Sequence, residues 1–197
     1  MILVIAVFIG LAAGLVRARV NKTTYRANEL RYPGLVILAF IPQFFAFSLP
    51  ATRSSLPDNI ASACLSFSLV FLLAFSFFNI RNKGFWPMIL GLISNFLVIS
   101  LNGGWMPITP EMVQKLLPNA PAGTWSLGSR LGTGKDIVLA VESTRAWFLS
   151  DIFALPEWMH FGLAFSIGDV LMSAGAIWLL WNMGRKRLDT SKEFSHE

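Results

Sequence analysis

The chain has 197 residues, 54% hydrophobic and 14% charged, with a formal net charge of +5 and a mean hydropathy of +0.59. Soluble domains carry about a quarter charged residues, so this balance excludes an ordinary water-soluble globule and points to an all-α integral membrane helix bundle. A single cysteine, Cys64, excludes an internal disulfide, and His160 and His196 stand too far apart to form a metal pair, so no metal or cofactor is expected.

Apolar runs fall at residues 1–16, 34–49, 60–80, 85–101 and 158–181. About 20 residues of helix cross a hydrocarbon core of about 30 Å, so the third and fifth runs span directly. The first, second and fourth need snorkelling or local thinning of the bilayer. No basic stretch precedes the first run, and its charges, Arg17 and Arg19, come after it; it is expected to be a retained helix rather than a cleaved signal. Pro42 and Gln43 interrupt the second run, where a kink or re-entrant turn is expected. Trp86, Trp105, Trp158, Trp178 and Trp181 stand where interfacial aromatic belts belong.

Basic residues divide unevenly between the connections. Arg17, Arg19, Lys22, Arg26 and Arg31 follow the first run, Arg53 alone the second, Arg81 and Lys83 the third, and Arg185, Lys186, Arg187 and Lys192 the fifth. Putting the richer connections in the cytoplasm gives five spans of a cell-membrane protein with an outside N-terminus and an inside tail at 185–197. These charges suit anionic lipid headgroups; nothing beside them resembles a nucleic-acid-binding motif.

The segment 102–157 is then a long outer loop. Pro107, Pro110, Pro118, Pro121 and Pro156, with glycines between 123 and 134, break it into turns. A brief helix is expected at 112–117 and an amphipathic surface helix at 137–149. Residues 129–136, SRLGTGKD, resemble a phosphate loop only at Gly134-Lys135, because Ser129 stands at its first glycine and Asp136 at the magnesium-binding hydroxyl.

Three motifs combine polar and turn residues at the outer mouth: Asn102-Gly103-Gly104-Trp105-Met106-Pro107, Ser150-Asp151-Ile152, and Ser166-Ile167-Gly168-Asp169. Asp169 falls about two turns inside the fifth run, where a carboxylate costs on the order of 2.5–3.5 kcal/mol and needs a partner. Ser166, Asp169 and Ser173 share one helical face, and Asn95 and Asn102 share another; the two faces are expected to pack around a polar pocket. The structural counterpart is polar glue for Asp169, a cap or surface charge for Asp151, and a plain helix end for the NGG turn.

These motifs resemble an uncharacterised bacterial multi-pass membrane family of the domain-of-unknown-function kind, over most of the chain, and that resemblance carries no activity. A more distant resemblance is to lipoprotein signal peptidase, an intramembrane aspartic peptidase whose catalytic aspartates precede and open its last helix. It implies Asp151 and Asp169 as a catalytic pair, supported by Asn95, Asn102 and Ser166. Ser166 replaces the asparagine of the peptidase motif and Gly168 its alanine, and the loop before Asp151 is far longer. In such a pair one carboxyl stays protonated as acid while the other activates water. The competing expectation is a non-catalytic subunit that docks on other membrane proteins through small-residue faces at Gly10, Ala12, Ala13, Gly14, Ala174, Gly175 and Ala176. A transporter has least support, since no inverted repeat is visible.

Overall fold

A computed structural model describes residues 2–26, 29–121, 123–155, 162–183 and 186–187. The start of the fifth run with Trp158 and His160, the loop residue Pro156, and Arg185, Lys192 and His196 of the tail lie outside the described residues. The structure is mostly helical: α1 Ile2–Val20, α2 Gly34–Gln43, α3 Pro50–Arg53, α4 Asp58–Phe78, α5 Phe85–Leu101, α6 Pro110–Leu116 and α7 Ile167–Trp181. By length and composition α1 and α4 can cross a membrane, whereas α2, α5 and α7 are apolar but shorter.

Local chemistry sets several of these boundaries. Pro42 has no N–H to offer, and past it α2 widens into a π turn, Phe44–Ser48, closed by the Leu49 N–H on the Phe44 carbonyl at 2.9 Å. The interrupted second run is therefore one helix with a wide last turn, and α3 follows it. α5 ends at Asn102; Gly103 and Gly104 have φ of +75° and +86°, and the Gly104 N–H returns to the Ile99 carbonyl at 2.9 Å. That is the glycine-dependent helix end read from the NGG sequence. α6 opens with the Thr109 hydroxyl accepting from the Met112 N–H, and Pro110 at its first position.

The helices stand side by side in the order α2, α4, α5, α7, α1. α5 and α7 run antiparallel, with Gly84 against Leu179 and Gly91 against Gly168 and Met172. α1 runs parallel to α7: Gly10 meets Ile177, Gly14 meets Leu180, and Arg17 donates to the Trp181 carbonyl at 3.0 Å. α2 opposes α4, joined by the buried Ser68 hydroxyl on the Ala39 carbonyl at 2.5 Å. Leu65, Leu69, Leu92, Val98 and Ile99 form the α4–α5 core, which extends to Met106. Arg17, Arg31, Arg81 and Lys83 consequently gather at one end of the bundle, and residues 102–155 at the other.

Among the described residues six short strands complete the fold: β1 Thr23–Thr24, β2 Met106–Ile108, β3 Asp136–Val138, β4 Phe153–Ala154, β5 Ala164–Phe165 and β6 Lys186–Arg187. β1 pairs antiparallel with β6 and β4 with β5, while β2 and β3 are parallel, Met106 opposite Asp136. This overturns the amphipathic helix expected at 137–149. Ile137 and Val138 extend beside β2, 3-10 turns follow at Val141–Ser143 and Trp147–Leu149, and Ala146 between them has a φ of +53°, which no helix accommodates. The fifth run is also divided. Ala164 and Phe165 are strand, and the helix begins only at Ile167.

Candidate functional site

β2 organises the cap formed by residues 102–155. The Met106 N–H donates to the Lys135 carbonyl at 3.0 Å, and the Pro107 carbonyl accepts from the Asp151 N–H at 3.2 Å, so Lys135 and Asp151 arrive from two separate segments. Their side chains meet: Lys135 Nζ lies 2.7 Å from Asp151 Oδ2 and 3.2 Å from Asp136 Oδ1. The Asp151 side chain is 1% exposed, whereas the lysine side chain is 40% exposed. Asp151 Oδ1 is buried without a hydrogen-bond partner.

Burial is the main influence on Asp151 and pushes its carboxyl up to about 6; Lys135 opposes this, and the charges of Asp136 and Asp169 add to it. Burial also works against the Lys135 charge, but Asp151, Asp136 and Asp169 outweigh it and hold the ammonium above its ordinary range. Asp169 thus lies close enough for its charge to act on both members of the pair.

Asp169 is the third residue of α7 rather than two turns inside it, because the helix starts late. Its Oδ2 accepts from the Ser166 N–H at 3.1 Å while the Ser166 hydroxyl accepts from the Asp169 N–H at 3.1 Å, a reciprocal cap. Its Oδ1 accepts from Asn95 Nδ2 at 3.1 Å, and the Ser166 hydroxyl donates to Asn95 Oδ1 at 2.9 Å. Asn95, Ser166 and Asp169 are therefore one network across α5 and α7. Ser173 lies further along α7, its hydroxyl buried without a partner.

Asn102 is engaged elsewhere. Its amide donates to the Val98 carbonyl at 2.7 Å and the Arg145 carbonyl at 2.9 Å, and its oxygen accepts from the Arg145 N–H at 3.0 Å. It pins a cap loop onto the end of α5. Asn79 at the end of α4 grips both backbone groups of Arg31 in the same way, at 2.8 and 2.9 Å. Trp105, expected at an interface, is instead buried, with Arg130 stacked over it at 4.6 Å and over Phe47 at 5.4 Å.

Lys135 and Asp136 were not among the residues the sequence marked. They lie in the segment set aside as a degenerate phosphate loop, and a lysine–aspartate step in a glycine-rich turn was its only local signal. Chemically the cluster offers one cation and three carboxyl groups, one of which, Asp151, is pushed up to about 6. A separate cavity of about 600 Å³ on the α6 side of the cap, lined by Pro110, Glu111, Gln114, Lys115, Pro118, Gly123 and Trp125, shares no residue with it. Among the described residues no group of three or more His, Cys, Asp and Glu is arranged to hold a metal ion.

No curated protein and no solved structure matches the chain. Residues 27–181, which carry the NGG turn, the cap cluster and the Asn95–Ser166–Asp169 network, match the family of unknown function DUF5317, and the chain belongs to that family.

Proposed function

We propose that the chain is a multi-pass integral membrane protein whose five apolar helices cross the bilayer, with its N-terminus outside and the 102–155 cap on the outer face. The observation that carries this reading is α4: 21 residues, about 30 Å long, with only 33% of its most apolar window buried and Phe67, Val70, Phe77 and Phe78 exposed. Such a surface is costly in water and at rest in lipid. α1 adds Phe8, Ile9, Val16 and Val20. The gathering of Arg17, Arg31, Arg81 and Lys83 at the end opposite the cap supports the orientation. The shorter α2, α5 and α7 cross where the bilayer thins.

In this reading the cap is a lid fastened by Lys135, and the protein is a non-catalytic membrane subunit. Support comes from the partners: Asp151 faces a lysine, and Asp169 faces an asparagine and its own helix start. The hydrolase reading, with Asp151 and Asp169 as acid and base, has one observation in its favour. The Asp151 carboxyl is held near 6 chiefly by burial, with the Asp136 charge and, least, the Asp169 charge adding to it.

The test starts from a Cys64→Ser background, since the native thiol would confuse labelling. Gly123→Cys in that background should react with a membrane-impermeant maleimide on whole cells, and the protein should resist alkaline carbonate extraction. Release by carbonate would end the membrane reading; labelling only after lysis would reverse the orientation. Lys135→Gln should then raise protease sensitivity of the cap, and Asp151→Asn should raise it less, because burial opposes the Asp151 charge at neutral pH. If Asp151→Asn and Asp169→Asn instead leave it unchanged while both abolish cleavage of a membrane-anchored peptide, the hydrolase reading replaces the subunit reading.

A further inference from the structure

At the end of the bundle away from the cap, a cavity of about 390 Å³ opens between the α4–α5 turn and the last turn of α7. It is lined by Arg81, Asn82, Lys83, Gly84, Trp178, Leu179 and Asn182. That volume is ordinary for a small-ligand site, and its lining is two cations, two amides and an indole, with no acidic residue among those described. Arg81 and Lys83 are both exposed, and among the described residues neither forms an ion pair or a side-chain hydrogen bond. Among the described residues these two cations face one polar cavity without a counterion, and such an arrangement leaves a positive field that an anion relieves.

The cavity is also built rather than incidental. Asn182 is fixed, its oxygen accepting from Arg17 at 3.3 Å and its amide donating to the Trp178 carbonyl at 2.9 Å. Arg17 in turn lies over the Trp181 ring at 5.3 Å. The floor is set by Gly84, where a Cβ would sit 2.7 Å from Leu179 Cα, so α5 and α7 meet there without an intervening side chain. Trp178 is 46% exposed and offers the amphipathic wall typical of the headgroup level.

We propose that this cavity binds the phosphate of an anionic glycerophospholipid headgroup in the cytoplasmic leaflet, with Arg81 and Lys83 as its charge partners and Trp178 against the glycerol region. The proposal rests on the membrane reading above. A phosphate group is the shared chemistry of a lipid headgroup and of free inorganic phosphate; the position of the cavity at the end of apolar helices, beside an exposed tryptophan, favours the lipid.

The test uses the full chain in nanodiscs of phosphatidylcholine with or without phosphatidylglycerol, followed by release into neutral detergent and native mass spectrometry. Phosphatidylglycerol should remain bound in preference to phosphatidylcholine, and Arg81→Gln with Lys83→Gln should weaken retention on the order of ten- to thirty-fold. Arg53→Gln, on the far side of α4's start, serves as the charge control and should leave retention unchanged. Equal retention of both lipids, or retention unaffected by the double substitution, overturns the proposal. Inorganic phosphate bound by the protein in pure phosphatidylcholine discs through the same two residues overturns the lipid as source. Carbonate extraction of the cell membranes that carry the protein separates the two claims: a protein that stays embedded but shows no headgroup preference fails here alone, and one that is released fails at the membrane reading.

Discussion

Asn95 on α5 and Asp169 on α7 are joined by a hydrogen bond of 3.1 Å, and the same asparagine receives the Ser166 hydroxyl at 2.9 Å. The carboxylate thus accepts from two N–H groups, one on each oxygen. This relation fixes where α7 begins as well as how it packs on α5.

Asp169→Asn retains only one acceptor oxygen and turns an amide NH2 toward a donor. A loss of about 1–3 kcal/mol in unfolding free energy is expected, more than for Asp136→Asn on the partly exposed cap strand. Denaturant unfolding of the purified protein checks it; equal losses would mean that the α5–α7 network holds nothing.

Gly168→Ala should be worse than Gly103→Ala, although Gly103 has a φ of +75°. A Cβ at Gly168 overlaps the Asn95 side chain and comes within 2.8 Å of the Gly91 carbonyl, while one at Gly103 meets nothing within 4 Å. The left-handed backbone costs about 1–2 kcal/mol, whereas the Gly168 clash, partly against backbone that cannot give way, reaches the upper part of the about 1–3 kcal/mol of overpacking. Thermal unfolding of the two variants side by side gives the order.

The Asp151 carboxyl is raised to about 6 from an unfolded value near 4, so between these pH values the native state holds a proton that the unfolded state has released. Stability of the cap should therefore fall by up to about 3 kcal/mol as pH rises from 4 to above 6. Lys135, raised above its ordinary range, contributes stability that persists through this window and is lost only in strong alkali. Asp151→Asn should flatten the profile, read as cap hydrogen exchange against pH. A wild-type profile that climbs through this interval would contradict the burial argument.

Arg130 donates through Nε to the Gly134 carbonyl at 2.7 Å, through one terminal nitrogen to the Thr133 carbonyl at 2.8 Å and through the other to Asp58 at 3.0 Å. Lysine has the charge but not the fork, so Arg130→Lys should lose most of what Arg130→Gln loses, about 1.5–3 kcal/mol of cap stability. Limited proteolysis of the 123–138 segment reports it. Full rescue by lysine would reduce this site to simple charge pairing.

Much of the helical part was legible because apolar runs are a local signal. The runs at 34–49, 60–80 and 85–101 correspond to α2 with its π turn, α4 and α5, and the short helix expected at 112–117 is Pro110–Leu116. What failed was fixed by partners distant in sequence. Ile137 and Val138 fit a helical pattern until β2, some 30 positions earlier, claims them as strand. Asn102 shares a helical phase with Asn95, yet its three hydrogen bonds go to Val98 and the backbone of Arg145. Lys135 stood out only as part of a degenerate phosphate loop, and its meaning comes from the carboxylates that converge on it.

Four of the glycines that permit close helix contact share one counterpart. Gly10 and Gly14 of α1, and Gly84 and Gly91 of α5 with its turn, all abut α7. α7 is also the last of these helices to be synthesised. Until it arrives, α1 lacks its principal neighbour, and the α5 face around Asn95 has neither Ser166 nor Asp169 to meet. The decisive contacts of assembly therefore wait for α7: two unfinished faces, one on α1 and one on α5, are completed at once when it packs between them.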